Sequence, residues 1–404
     1  MEGMAPVLRT VSADGRHVAY FDRGAGCAAA GSKVCIFVDG HAKPVTDKTS
    51  VENLWLSADG NRLAYVENIK GGGGTLVVDG VLKPGCGGLP VGSLIFSPDG
   101  KRLACAGVGL DARHPSARAV VDGEVGPQHD QVSNLTFSPD SSRVAYAARA
   151  DKKWLAVVDG QPGPPCDAVW GPAFSPDSKR VVYAQRQDKL WSVVVDGKAG
   201  TAYEALPTDA NIGERPVGSA DLIPAIWSKV DGRLDGTYDE LGTNAFGQIG
   251  NQYVFPAAFS ADSKHFAYLA WTRGGWLVVE DGKEGPGVMK IGVGSPAIGP
   301  DGELAYSAKE GLWKIIMNGQ QGTQEFGKMF NPSLSPDSKR VAFAADESVL
   351  ARGTTWVLVV DGQISEKNVA IGNWTFSADS KHVAYAAQPK QGFSLDYPWG
   401  GGAW

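Results

Sequence analysis

Leu135-Thr136-Phe137-Ser138-Pro139-Asp140-Ser141-Ser142-Arg143-Val144-Ala145-Tyr146, followed after a short gap by Trp154-Leu155-Ala156-Val157-Val158-Asp159-Gly160, is the stretch on which the reading of the fold turns. It joins two apolar runs through a Ser-Pro-Asp-Ser turn and closes on an Asp-Gly turn. The Ser-Pro/Ala-Asp-Gly/Ser element returns at Ser12, Ser57, Ser97, Ser138, Ser175, Ser260, Ser335 and Ser377, with Gly299-Pro300-Asp301-Gly302 as a variant, which makes nine copies. The stretch is therefore one unit of a repeat.

Each full unit reads as four strands. Pro139 presets the first turn dihedral and Asp140 can accept bonds from nearby backbone N–H groups, so the chain reverses after Phe137. The second strand, Arg143 to Tyr146, ends in a column of aromatics, Tyr20, Tyr65, Tyr146, Tyr183, Tyr268, Tyr306, Phe343 and Tyr385, with Cys105 as the exception. The third strand runs from Trp154 to Val158, and Asp159-Gly160 tolerates the positive φ angles of a type I′ hairpin. That turn recurs at Asp39, Asp79, Asp122, Asp159, Asp196, Asp231, Asp281 and Asp361, with Asn318-Gly319 in the same place. Trp154, Trp191, Trp276, Trp313 and Trp356 each lie five residues before it and are expected to pack units together. Units of about 40 residues built from short strands cannot bury both faces alone and stack on their neighbours as a β-propeller.

The expected fold is all-β, a β-propeller of four-stranded antiparallel blades over residues 5–390, with eight to ten blades in one ring and two smaller propellers as the alternative. Residues 208–254 break the rhythm: Trp227 to Gly232 keeps the second half of a unit while the first half is missing, so the stretch reads as a degenerate blade or insertion. A final half unit spans Ile371 to Gln388, and residues 391–404 read as a flexible tail.

Composition agrees with this reading. The 404 residues are 43% hydrophobic, enough for a large core, and 53 Gly with 24 Pro fit a chain of tight turns. A formal charge of −6 supplies no drive toward nucleic acid or anionic membrane. No run of 18 apolar residues occurs, so membrane insertion is not expected. The start lacks a basic region followed by an apolar one, which reads as cytoplasmic for the chain as written and as extracytoplasmic if it is an excerpt. The five cysteines do not read as a disulfide framework but as buried thiols: Cys105 replaces the column aromatic, Cys35 lies in a strand, and Cys86 and Cys166 share one column after the Asp-Gly turn.

Phe96-Ser97-Pro98-Asp99-Gly100-Lys101-Arg102-Leu103-Ala104 and Phe174-Ser175-Pro176-Asp177-Ser178-Lys179-Arg180-Val181-Val182-Tyr183 resemble the bacterial WD40-like repeat of TolB-type propellers. The resemblance covers nearly the whole chain outside residues 208–254 and the tail. It implies the propeller fold and, for function, a protein-binding platform, the recognition domain of a prolyl-oligopeptidase-like enzyme, or a lyase. The Val-Asp-Gly turn departs from the longer turn common in that family.

Residues that recur at fixed places in the units, such as Asp140, Tyr146, Trp154, Asp159 and Gly160, read as scaffold. His17, His265 and His382 fall in the column of Arg62, Arg102, Arg143, Arg180 and Arg340, so they read as members of surface ion pairs and not as a metal triad. The chain has no Gly-x-Ser-x-Gly elbow, P-loop, His-Glu-x-x-His or Cys-x-x-Cys site, so no catalytic residue, metal or cofactor is assigned. Function is expected where copies differ. The position three beyond the column aromatic begins the loops on the face opposite the Asp turns. It reads Arg23, Asn68, Val108, Arg149, Arg186, Trp271, Lys309, Asp346 and Gln388, and the longest early loop adds Asp111, Arg113, His114 and Arg118. Arg23, Arg113, His114, Arg118, Arg149, Arg186, Trp271 and Lys309 are the candidates for contact with a protein, peptide or glycan on that face or at the central channel. The alternatives are a metal-dependent lyase or hydrolase with a site in the channel, and a recognition domain detached from a peptidase.

Overall fold

The computed structural model describes residues 8–12, 15–22, 27, 35–45, 49–69, 74–83, 86, 94–108, 116–204, 257–291, 296–330, 332–347 and 355–389. The irregular stretch 208–254 and the tail 391–404 lie outside the described residues. Thirty-six strands are described, and no helix among the described residues is long and apolar enough to cross a membrane.

The chain divides into two compact units, the first comprising Met1–Asp188, Val193–Ala199 and Gln248–Tyr253, the second Lys189–Ser192, Gly200–Gly247 and Val254–Trp404. In the first unit, sheet one joins Leu8–Val11, Val18–Asp22, Cys35–Val38 and His41–Pro44; sheet two joins Thr49–Leu56, Leu63–Ile69, Gly74–Val78 and Val81–Lys83. Sheet three joins Leu94–Phe96, Leu103–Val108, Ala117–Val121 and Glu124–Val125; sheet four joins Gln131–Phe137, Val144–Ala150, Lys153–Val158 and Gln161–Pro162. Sheet five, Ala168–Phe174, Val181–Gln187, Leu190–Val195 and Lys198–Tyr203, begins in the first unit. In the second unit, sheet six is Ala257–Phe259, Phe266–Thr272, Gly275–Glu280 and Lys283–Glu284. Sheets seven and eight follow, with central strands Leu304–Lys309 and Trp313–Met317, then Val341–Asp346 and Trp356–Val360.

Within each sheet the strands run antiparallel in chain order, so successive side chains face opposite sides, and apolar faces of consecutive sheets within a unit meet in core layers. One core layer, for example, combines Ala104 and Ala119 of sheet three with Leu135, Tyr146 and Val157 of sheet four. Sequential four-stranded antiparallel sheets, stacked face to face within a unit, make this chain all-β and of the β-propeller class.

The turns form as their residues demand. Ser138 Oγ donates to Asp140 Oδ1 at 2.6 Å and accepts the Arg143 N–H at 2.9 Å, while Asp140 Oδ1 also takes the Ser142 N–H at 3.0 Å. These bonds to the ionised form, the Ser138 hydroxyl first, hold the Asp140 carboxyl well below the usual range, and in the equivalent turn the Ser57 hydroxyl holds Asp59 at about 2. Asp159 and Gly160 sit at φ 50° and 77°, the two positive values of a type I′ turn.

The arginine column does more than form surface pairs, and here the structure corrects the sequence reading. Arg143 Nε donates to Asp159 Oδ2 at 2.8 Å, but its Nη1 crosses to sheet five and donates to the carbonyls of Ser178 and Lys179 at 3.2 and 2.8 Å. Its guanidinium carbon lies 5.1 Å over the Phe174 ring. Arg62, Arg102 and Arg340 repeat the arrangement over Phe96, Phe137 and Phe376. A planar fork with several donors on one rigid group suits a residue that must bind two sheets at once, which a point charge cannot do as well.

A second inter-sheet contact joins the column aromatic to a residue at or just beyond the end of the fourth strand of the preceding sheet. Tyr203 meets Tyr268 edge-on at 6.2 Å and Phe326 meets Phe343 at 5.8 Å. Between sheets two and three the same contact is a Cys86–Cys105 disulfide. The expectation that all five cysteines are thiols is thus overturned for these two, because the fold brings their two columns face to face. Cys27, Cys35 and Cys166 are buried and outside any disulfide.

The last described hairpin, Asn368–Phe376 with Val383–Pro389, is a half unit. Tyr385 on it is 40% exposed, whereas Tyr146 and Phe343 at the same repeat position are 4% and 2% exposed.

Candidate functional site

The two ends of a sheet differ chemically. One end carries the Ser-Asp turn, the Asp-Gly turn and the basic latch, copied from sheet to sheet. The other end carries the hairpin between strands two and three, and there one register position varies among the copies. Arg149 stands opposite Trp154, Trp271 opposite Trp276, Lys309 opposite Trp313 and Asp346 opposite Trp356.

In the first unit, Arg149 is half-buried and its Nε finds no acceptor. Its carbonyl accepts the Asp130 N–H at 2.7 Å, which holds the strand end in place while leaving the guanidinium directed by packing alone. Arg186 occupies the equivalent place on sheet five, where its carbonyl accepts the Asp167 N–H at 2.8 Å. Asp167 is bound by Lys153 Nζ at 2.5 Å and takes the Asp188 N–H at 3.0 Å, and these bonds, that of Lys153 first, lower its pKa. In the second unit, Trp271 is half-buried beside Trp276, and Lys309 Nζ lies 5.7 Å from the Trp313 ring centre. Asp346 is 2% exposed and accepts the Thr355 N–H at 3.2 Å, which makes it structural.

Two features of the sequence reading change. Arg149, Arg186, Trp271 and Lys309 lie in the last turns of the strands, not in loops, and are half-buried there. Arg118, assigned to a loop, lies in the strand Ala117–Val121, exposed, with Nη2 donating to Gln128 Oε1 at 3.0 Å. Arg23, Arg113 and His114 fall outside the described residues. The structure also adds a partner the sequence reading had assigned to packing: Trp154 and Trp356 are only half-buried at this end, while Trp191, Trp276 and Trp313 are buried. The signal was available in their fixed register partner, which is the variable position itself.

At the latch end, His17 and His265 replace arginine and pair through Nδ1 with Asp39 and Asp281, each at 2.7 Å. The rings lie against the backbone of the next turn, and a Cβ on Gly60 or Gly302 would come within 2.2 or 2.6 Å of them. Donor atoms of His265, Glu280 and Asp281 lie within 4.8 Å of one another. The His–Asp half of that group belongs to the latch, since Asp281 Oδ1 also takes the Phe266 N–H at 3.0 Å. Glu280 is different: Val38, Val78, Val121, Val158, Val195, Met317 and Val360 hold its position in the other sheets. Burial raises the pKa of its carboxyl. Glu280→Val should therefore stabilise the second unit by about 1 kcal/mol, half the value of a fully buried valine, read as an upward shift of the thermal midpoint. A downward shift would show that the carboxylate holds something the apolar copies do not. An open cleft of about 400 Å3 lies between sheets one and two, lined by Ile36, Lys43, Asn61, Arg62, Tyr65 and Asp79 among others. Its charged residues Arg62 and Asp79 are paired at 2.9 Å as a latch.

No known protein family and no curated protein matches the sequence. Among solved structures the chain is similar to one described as a eukaryotic initiation factor, at TM-score 0.39 and 10% identity over 90% of this chain and 78% of that one. It is similar to the β-propeller domain of the Trilobed protease from Pyrococcus furiosus, described as having an open velcro topology, at 0.30 and 10% over 79% and 97%. A putative TolB from Agrobacterium tumefaciens gives 0.25 and 14% over 66% and 86%.

Proposed function

We propose that this chain is a binding scaffold that takes protein or peptide segments on the sheet ends of each unit, those carrying Arg149 and Arg186 in the first and those carrying Trp271 and Lys309 in the second. The observation that supports the reading is the contrast between ends. A position that every copy could fill with one residue instead carries two arginines on consecutive sheets of the first unit, then a tryptophan and a lysine on consecutive sheets of the second. Arg149, Trp271 and Lys309 each stand opposite a residue of the tryptophan column. Half-buried Arg and Trp, desolvated in advance and held by strand backbone, lose little side-chain freedom on binding, which is why such residues dominate contact energies. Arg149 Nε, without an acceptor, supplies a donor that a carboxylate or carbonyl of the partner can take.

Two double variants test each unit separately. Arg149→Ala with Arg186→Ala, and Trp271→Ala with Lys309→Ala, are each expected to lower recovery of the partner by tenfold or more when the purified chain captures proteins from native lysate and the eluate is quantified by mass spectrometry. Lys101→Ala with Lys179→Ala, at the latch end where these side chains are 83% and 82% exposed, is the control and should leave recovery unchanged. Undiminished recovery by both rim variants would remove the rim from the account.

A further inference from the structure

Sheet seven, in the second unit, reverses the chemistry of the latch. In the eight other copies of the Ser-Asp turn the residue just before strand two is basic, His17, Arg62, Arg102, Arg143, Arg180, His265, Arg340 or His382, and before Leu304 it is Glu303. The Asp that pairs with the basic residue elsewhere becomes Asn318, whose Oδ1 still takes the Leu304 N–H at 2.7 Å. The ring on the next sheet changes as well. Phe96, Phe137, Phe174 and Phe376 lie against the guanidinium groups of Arg62, Arg102, Arg143 and Arg340, and the residue at that place after Glu303 is Leu334. The cation, its counter-charge and the ring beneath it have changed together in one copy.

The acceptors that arginine holds elsewhere are nevertheless present. The turn Ser335-Pro336-Asp337-Ser338-Lys339 repeats Ser175-Pro176-Asp177-Ser178-Lys179 residue for residue, and the carbonyls of Ser178 and Lys179 are the ones that Arg143 Nη1 reaches. Among the described residues, no donor reaches the carbonyls of Ser338 and Lys339. The hydroxyl of this turn is released too. Ser141, Ser178 and Ser380 Oγ accept the N–H of Asp99, Asp140 and Asp337 in the preceding turn, at 3.0, 2.9 and 3.0 Å. The turn that precedes Ser338, Gly299-Pro300-Asp301-Gly302, reaches strand two one residue sooner than the other copies. Ser338 Oγ, on a residue 3% exposed, has no partner, and Glu303 Oε2 is likewise buried without one. Both oxygens border one point: a Cβ added to Gly299, where the other copies have serine, would collide with Ser338 Oγ and lie 3.1 Å from Glu303 Oε2. Buried oxygens of this kind cost free energy until a cation or a donor reaches them.

We propose that this place, between turns 299–302 and 335–340 of the second unit, binds a calcium ion in the role that a guanidinium has elsewhere. Glu303 supplies the charge, and Ser338 Oγ with the carbonyls of Ser338 and Lys339 supplies neutral oxygens. An all-oxygen set that mixes carboxylate, hydroxyl and main-chain carbonyl suits a hard cation, and calcium accepts the irregular geometry of fixed turn backbone more readily than magnesium. Leu334 argues against an arginine from a partner polypeptide, because a guanidinium there has no ring to lie on. Asn318 fits the same account: an aspartate would set two carboxylates beside each other, whereas the amide keeps the bond to Leu304 without the charge. The ion ties sheet seven to sheet eight as Arg143 ties sheet four to sheet five.

The full chain, stripped with chelator and dialysed, should bind one calcium ion by equilibrium dialysis, with half-saturation at about 0.1 to 1 mM, the range of weakly charged sites. Its thermal midpoint should rise over the same range. Glu303→Gln, which keeps the side chain's shape, and Ser338→Ala should each weaken binding at least tenfold. In chelator Glu303→Gln should be no less stable than the parent, since it removes an unpaired buried charge, so that lost binding is told apart from a lost fold. The triple variant Glu303→Arg, Asn318→Asp and Leu334→Phe rebuilds the latch of the other copies. It should ignore calcium and unfold, in chelator, no lower than the calcium-loaded parent. Glu280→Val should leave calcium binding unchanged, which separates this site from the group around His265. Absence of saturable calcium binding, or binding indifferent to both Glu303→Gln and Ser338→Ala, overturns the proposal. So does displacement of calcium by guanidinium ion at equal concentration, since an arginine of a partner would then be the occupant.

Discussion

Asp159→Ala should lower the stability of the first unit by about 3 kcal/mol, while Asp159→Asn should cost only about 0.3 kcal/mol, both read from the midpoint of urea unfolding. The asymmetry follows from what each substitution removes. The Asp159 side chain is 42% exposed, so its ion pair with Arg143 is screened and contributes at the low end of surface pairs. The larger effects are the bond from the half-buried Val144 N–H to Oδ1, whose loss strands a backbone donor at about 1 to 2 kcal/mol, and the φ of 50°, which costs alanine roughly 1 kcal/mol more than aspartate or asparagine. Asparagine keeps both. Nature of the fold supplies the comparison in the chain itself, since Asn318 takes the Leu304 N–H on Oδ1 at 2.7 Å with φ at 47°. Equal losses for the two variants would mean that the charge, and not the turn geometry, holds the third strand to the second.

Removal of the Cys86–Cys105 bridge by the double substitution Cys86→Ser with Cys105→Ser should cost about 3 kcal/mol, the loop-closure value for a sequence separation of 19. Reductant should lower the unfolding midpoint of the parent chain to that of the variant and leave the variant unmoved. The bridge stands where Tyr203 meets Tyr268 and Phe326 meets Phe343, so a Cys86→Phe with Cys105→Phe chain should recover part of the loss through ring contact. A variant as stable as the parent under both conditions would show that packing at this contact is sufficient without the covalent bond.

The repeat was legible because its signals are local. A serine two residues before an aspartate, a proline or alanine between them and an Asp-Gly or Asn-Gly pair 17 to 25 residues after that aspartate act on their own backbone, and each turn in the structure follows from those residues alone. The basic column was legible as a pairing with an acid but not as a latch, because Ser178 and Lys179 accept from Arg143 with backbone carbonyls, which every residue has. The disulfide was hidden for the same reason: Cys86 and Cys105 belong to different columns of different units. Only the stacking of sheet two on sheet three makes those columns face each other.

The candidate surfaces divide along the same line. That function belongs where copies differ could be read from Arg149, Arg186, Trp271 and Lys309 in sequence. That these side chains are half-buried strand residues paired with the tryptophan column required the register. The sequence by itself determined the unit, its four strands, its turns and its aromatic column, since these depend on residue preferences over a few positions. Tertiary structure alone decided which columns meet across sheets and which arginine reaches which carbonyl, because those depend on distances between residues that the chain order keeps far apart.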